Sequence, residues 1–220
     1  MANVLVIAPH ADDEVLGCGG MVAKRQSDTV HVAVATVGGP RRPHLGYEPT
    51  VQQRYDELVA AMGILGVKRF HVLWDGMDKR LDTLPQLEMV TRLDAILEGT
   101  DYDEVYFPSP SHDHDHRTVS EAALAALRPY GHRHMPSLIA QYEYAYLGWG
   151  QQPVQGGRMY VDISGVIAVK ERALEAYRSQ MREPPHPVSI QGMRTLASLR
   201  GLESGHTFAE MFWLLKWDRP

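Results

Sequence analysis

An imidazole and three carboxylates crowd the run Pro9-His10-Ala11-Asp12-Asp13-Glu14. The run closes an apolar stretch, Val4-Leu5-Val6-Ile7-Ala8, whose β-branched residues and bounding proline predict a first strand. A strand this uniformly apolar is buried on both faces, as in a parallel sheet. Charges at its carboxyl end are costly unless something positive holds them, and a divalent metal is the simplest candidate. A second polar run, Ser109-Pro110-Ser111-His112-Asp113-His114-Asp115-His116, follows a predicted strand at 104–107. Residues i and i+3 of a tight turn can converge, so His10 and Asp13 can ligate one ion. His116, at the start of the next helix, is the expected third ligand. Two histidines and one carboxylate with open positions form a catalytic rather than a structural zinc pattern. Asp12 is not required as a ligand and can serve as base toward metal-bound water, whose pKa falls toward ~7.

These runs need elements that bring them together. Strands are predicted at 4–8, 30–37, 70–74, 104–107, 138–144 and 160–163. Helices are predicted from Leu16 to about Gln26, at 51–65 with Gly66 as its stop, at 85–97, from about Thr118 to Leu127, at 166–179 and at 189–200. The alternation argues for a single α/β domain over 1–220. It would be Rossmann-like and doubly wound, a mostly parallel sheet with helices on both faces. Right-handed crossovers would bring the ends of strands one and four to the same edge, joining the two polar runs.

Composition narrows the function classes. The 220 residues are 44% hydrophobic with a net charge of -5, which suits a filled core and gives no sign of a nucleic-acid-binding surface. Cys18 is the only cysteine, so no intrachain disulfide framework exists and a reducing compartment fits. No signal peptide and no apolar run near the roughly 20 residues of a membrane helix are visible, so a cytoplasmic location is expected.

Pro9-His10-Ala11-Asp12-Asp13-Glu14 followed by Leu16-Gly17-Cys18-Gly19-Gly20 resembles the signature of the LmbE/PIG-L-like zinc de-N-acetylases. Their motif usually reads His-Pro-Asp-Asp-Glu, and Ala11 takes the place of the proline. Asp115-His116-Arg117 resembles the end of the family's His-x-Asp-His motif. Further similarity lies in Thr36-Val37-Gly38-Gly39, in the Arg54-x-x-Glu57 helix ending at Leu65-Gly66, and in Trp74-Asp75-Gly76-Met77. It continues through Asp162-Ile163-Ser164, Tyr177, Ser179-Gln180 and Ala209-Glu210-Met211-Phe212, so the resemblance runs from residue 4 to 212. It implies zinc on His10, Asp13 and His116, with iron(II) an alternative occupant, and Asp12 as general base. It also implies Arg54 as a substrate-binding residue and Asp115 as a carboxylate that orients a neighbour. Asp113 stands on the substrate side, where the family often has a histidine that assists the leaving amine or the oxyanion. The general acid is therefore open between protonated Asp12 and His112 or His114.

The reaction implied is removal of an N-acetyl group from a 2-acetamido sugar by metal-activated water. The partner is a small N-acetylated sugar, and the loop from Gly38 to Tyr47, with Arg41, Arg42, His44 and Tyr47, could read the rest of it. Three other readings compete. One is an amidase of a sugar conjugate in the same family. Another is a non-haem iron(II) oxygenase using His10, Asp12 and His116, although its usual scaffold is all-β. The third is a metal-free sugar- or nucleotide-binding α/β module.

Other features have plainer readings. Glu14 supports the turn or the first helical turn, and Gly17, Gly19 and Gly20 permit close helix–sheet packing. His31 and His71 are core or edge residues, His132 and His134 are surface residues, and His206 is a weaker candidate to face the site. The aromatic segment from Phe208 to Trp217 is a packed terminal element or a contact in a homo-oligomer.

Overall fold

The computed structural model describes residues 1–39, 49–129, 131, 133–143, 145–146 and 156–218. The loop residues Arg41, Arg42, His44 and Tyr47, as well as His132 and Tyr144, lie outside them.

Val4 to Ala8 form the middle of strand β1 (Asn3–His10), and all five are fully buried. Their alternation separates two cores. Val4, Val6 and Ala8 face a cluster that includes Cys18 and Met21 of helix α1 (Asp13–Lys24), Leu58 and Met62 of α2 (Val51–Leu65), Leu174 of α5 (Ile167–Glu175) and Met193 of α6 (Ile190–Ser204). Leu5 and Ile7 face the opposite cluster, with Met89 and Leu93 of α3 (Gln86–Glu98) and Val119 and Ala123 of α4 (His114–Ala126). This two-sided burial is why the strand reads as a continuous apolar run instead of an alternating one.

Among the described residues the sheet has seven strands, adding β2 (Thr29–Val37), β3 (Arg69–Asp75), β4 (Glu104–Pro108), β5 (Leu138–Tyr142), β6 (Gly157–Asp162) and β7 (Ala209–Trp217), in the order β3-β2-β1-β4-β5-β7-β6. The first five strands pair in parallel, whereas β7 runs antiparallel to both β5 and β6. Strand order reverses direction between β1 and β4, and such a switch point opens a crevice at the carboxyl ends of the strands. His10 ends β1 and Pro108 ends β4, so both polar runs border that crevice.

Several boundaries differ from the sequence expectation, for identifiable reasons. Helix α1 starts at Asp13, not Leu16, because Asp12 turns the chain sharply with φ 134° and its carbonyl accepts from Val15 and Leu16. Helix α4 starts at His114, not Thr118, because the Asp113 carboxylate caps the Asp115 amide at 3.0 Å. The aromatic C-terminal segment is strand β7, inserted into the sheet with Phe212 fully buried. Gly66 ends α2 in the left-handed conformation at φ 75°.

Gly17 and Gly20 let α1 settle onto its neighbours. A Cβ at Gly17 would overlap the Tyr142 ring, which is fixed by burial and by its hydroxyl donating to the Ile7 carbonyl at 3.0 Å; a Cβ at Gly20 would overlap Ile163. Gly17→Ala should therefore destabilise the fold by about 2 kcal/mol, the overpacking cost exceeding the gain in helix propensity. Urea unfolding checks this, and a variant as stable as the parent contradicts the packing account.

Candidate metal centre and cavity

His10 occupies the last position of β1, with its ring held from both sides. Its Nε2 lies 2.8 Å from Asp115 Oδ2, and a carboxylate can only accept, so Nε2 carries a proton. The other nitrogen, Nδ1, turns toward Asp13 Oδ2 at 3.1 Å and, facing a carboxylate as well, also carries a proton in the metal-free ring. The same oxygen lies 3.1 Å from His116 Nε2, in the first turn of α4. His10, Asp13 and His116 are all buried, and their ligand atoms lie within 4.8 Å of one another. Two imidazole nitrogens and one carboxylate oxygen therefore converge on one small volume.

This donor set fits a divalent cation. A cation here would displace the Nδ1 proton and leave Nε2–H on Asp115, the outer carboxylate that commonly orients a metal-bound histidine. Among the described residues two other clusters fit less well. His10 Nε2, Asp78 and Asp115 form one, but both Asp115 oxygens are already taken by the backbone amides of Lys79 and Leu81. Asp82, His114 and Asp115 form the other, but His114 Nε2 donates to the Lys79 carbonyl at 3.1 Å. The oxygenase set with Asp12 is not the converging one, since the carboxylate shared by both imidazoles is that of Asp13.

Charge accumulates here as burial opposes it. Burial lowers the proton affinity of His10, but Asp115, Asp13 and Asp78 outweigh it and raise the pKa to about 10. The surrounding carboxylates thus create a demand for positive charge that a cation would meet. Burial raises the Asp13 carboxyl, but the two histidines hold it well below the usual range. Burial, with the charge of Asp13 beside it, pushes Asp12 up to about 8 against the pull of Arg54. No hydrogen bond from the described residues reaches the Asp12 carboxylate. Its positive φ in a non-glycine residue is the kind of local strain that clusters at functional sites.

Buried partners brace this turn. Glu14 accepts the Asp12 amide at 3.0 Å and the Tyr177 hydroxyl, and burial raises its pKa to about 7. Arg54 donates one terminal nitrogen to the Ala11 carbonyl and the other to Glu57 at 3.3 Å. Glu57 is itself held by Ser179, amide and hydroxyl, at 2.8 and 2.6 Å.

A cavity of about 160 Å³ opens over the centre, lined by His10, Asp12, Asp13, Arg54 and His116 together with Asp78, Lys79, Tyr146, Gln180, Arg182, His186 and Val188. Asp115 lies beneath it, fully buried, with Oδ2 accepting the Lys79 amide at 2.6 Å and Oδ1 the Leu81 amide at 3.0 Å. Asp113 is not among the lining residues. Besides capping α4, it pairs with the Lys79 ammonium, which holds its carboxyl down at about 2 although burial opposes that. His206 stands 4.0 Å from Asp162, outside the cavity. His31 is buried against the Tyr102 hydroxyl at 2.7 Å.

Sequence reasoning missed Lys79, Tyr146, Arg182 and His186, and met Gln180 only as part of the family resemblance. Lys79 sits two residues beyond the Trp74-to-Met77 segment and takes φ 63°, which no local pattern announces. His186 comes from the turn between α5 and α6, where Pro184, Pro185 and Pro187 rule out regular structure but do not say what the turn covers.

The fold and the donor set define an α/β protein with a buried two-histidine, one-carboxylate centre at the switch point of its sheet. The PIG-L family, described as GlcNAc-PI de-N-acetylase, matches residues 5–127, and the chain belongs to that family. It is 30% identical to a diacetylchitobiose deacetylase of Thermococcus kodakarensis, over 94% of this chain and 81% of that one. Among solved structures, a conserved protein of Thermus thermophilus superposes with a TM-score of 0.76 at 26% identity, covering 100% of both chains. An inhibitor-bound N,N'-diacetylchitobiose deacetylase of Pyrococcus horikoshii gives 0.74 at 25% identity, over 97% of this chain and 84% of that one.

Asp115→Asn keeps the shape of the His10 contact but removes its charge. It should weaken zinc binding by about 10–100-fold, measured by competition with a chromophoric chelator. Unchanged affinity would show that Asp115 does not orient the ligand.

Proposed function

We propose that this protein is a metal-dependent N-deacetylase of 2-acetamido sugars or their conjugates. The observation that carries the reading is the convergence of His10 Nδ1, Asp13 Oδ2 and His116 Nε2 beside Asp12, whose carboxylate takes no hydrogen bond from the described residues. Membership of the PIG-L family and the activity named for the Thermococcus and Pyrococcus proteins support the amide as the bond cleaved.

A divalent cation on His10, Asp13 and His116, zinc in the first instance, supplies Lewis acidity that polarises a carbonyl and makes water more acidic. The chain's own residues do the rest. Asp12, on the cavity wall, takes the proton of the attacking water as its oxygen bonds to the carbonyl carbon. Asp12 then returns that proton to the departing nitrogen as the C–N bond breaks, leaving acetate and a free amine. Desolvation favours this exchange, because a carboxyl group pushed toward neutral pH can both accept and release a proton. Asp113 is engaged by Lys79 and the start of α4, so the returning proton is assigned to Asp12. Arg54 fixes the Ala11 carbonyl and lies at the cavity wall, which suits it to hold both the turn and a substrate oxygen. Asp115 holds the His10 ring through Nε2, with Nδ1 toward the other two donors.

Acetate release from N-acetylglucosamine and N,N'-diacetylchitobiose by zinc-loaded protein tests the reading. Asp12→Ala should lower turnover by at least about 100-fold while zinc content stays at that of the parent. Undiminished turnover would remove Asp12 from the reaction, and a parent inactive across N-acetylated sugars would overturn the deacetylase reading.

A further inference from the structure

The wall of the cavity formed by the turn after α5 carries a second device. His186 Nδ1 accepts the Val188 amide at 3.0 Å, and a backbone amide can only donate, so Nδ1 carries no proton. The neutral ring therefore holds its proton on Nε2, which lies 3.2 Å from the Tyr146 hydroxyl oxygen. Burial, with Arg182 nearby, lowers the His186 pKa, which keeps the ring neutral at physiological pH. The turn is itself pinned. The His186 amide donates to Glu183 at 3.1 Å, and its carbonyl accepts the Ser189 hydroxyl at 2.7 Å. Ser189 in turn caps α6, and the backbone of Gly192 packs so closely on His186 and Pro187 that a Cβ would collide with their carbonyls. Tyr146 is held edge-on between two imidazoles, with ring centroids 5.5 Å from His112 and 5.6 Å from His186.

We propose that the Tyr146 hydroxyl is a substrate-contacting group and that His186 is the residue that positions it. The Tyr146 oxygen accepts the His186 Nε2 proton, which sets the orientation of the phenol at the cavity wall. Both residues line the cavity that holds Asp12 and the donor set. A phenol oriented in this way suits the hydroxyl or carbonyl oxygens of a sugar better than an apolar acyl chain. The substrate class, an N-acetylated sugar, rests on the deacetylase reading above; the His186–Tyr146 contact does not.

The test uses the full zinc-loaded chain with N,N'-diacetylchitobiose. His186→Ala and Tyr146→Phe should each raise KM by about 10-fold, the loss of one hydrogen bond, with kcat within about 3-fold of the parent. The double variant should be no worse than the poorer single one, because the two act as one unit. His186→Gln, which restores an N–H at the Nε2 position, should recover most of the KM effect. Unchanged KM in both single variants, a multiplicative double variant, or a glutamine no better than alanine overturns the assignment. A second readout separates this from the catalytic reading. Imidazole ¹⁵N spectra of Asp12→Ala protein should show His186 protonated at Nε2, with its signals shifting as the same disaccharide is added. A shift without turnover in the parent upholds the contact and sinks the deacetylase reading, whereas signals that stay put at millimolar disaccharide sink the contact.

Discussion

The Asp115 carboxylate organises everything else in this centre. It is fully buried, and each oxygen is spoken for: Oδ2 takes His10 Nε2 at 2.8 Å and the Lys79 amide at 2.6 Å, and Oδ1 takes the Leu81 amide at 3.0 Å. A buried carboxylate is tolerated only with partners of this kind, and burying it without them would cost several kcal/mol. By holding the far nitrogen of His10 it turns the near one toward Asp13 and His116. It also ties the run after β3 to the start of α4, so the elements that meet over the crevice share one anchor.

The sheet supplies the placement and the charges supply the demand. The reversal of strand order between β1 and β4 puts His10 and the Ser109-to-His116 run on the same rim. Asp12, Asp13 and Glu14 are then buried side by side, with Asp115 joined to Asp13 through the His10 ring, against the cations of Arg54 and Lys79. The responses are asymmetric. His10 is pulled toward its charged form, Asp13 is held ionised by the histidines, and Asp12 is driven toward neutrality. Two adjacent carboxyl groups with proton affinities pushed in opposite directions can take different roles, one as ligand and one as proton carrier. Lys170 and Glu210, buried at 2.6 Å beside α1, form a separate pair, in which Glu210 also accepts the Gly20 and Met21 amides at 2.7 Å. With the Lys170 ammonium also donating to the Leu16 carbonyl at 2.8 Å, that pair ties α1 to both α5 and β7.

Much of this was legible from residue types. The run Val4–Ala8 announces a doubly buried strand, and the polar residues at its end announce a rim position. Gly17 and Gly20 read correctly as packing glycines, and the supporting role of Glu14 follows from its place just after the turn. The parallel half of the sheet follows from the alternation of strands and helices. The antiparallel entry of β7 between β5 and β6 does not, because an aromatic segment at that distance pairs wherever the sheet has an open edge. Asp113 is the instructive case at the site. Its position beside His114 and Asp115 suggests the substrate side, but the Asp115 amide and the Lys79 ammonium claim both of its oxygens, and Lys79 lies 34 residues away. The far wall of the cavity, with Tyr146 and His186, is built by tertiary packing of two turns and leaves no local pattern.

Anomalous diffraction at the zinc edge, from crystals of the zinc-loaded protein, would locate the ion that these charges call for. One anomalous peak should lie among His10 Nδ1, Asp13 Oδ2 and His116 Nε2, at about 2.0–2.2 Å from each. A peak beside His10 Nε2 and Asp78, one between Asp82 and His114, or none at the switch point would contradict the assignment of this centre.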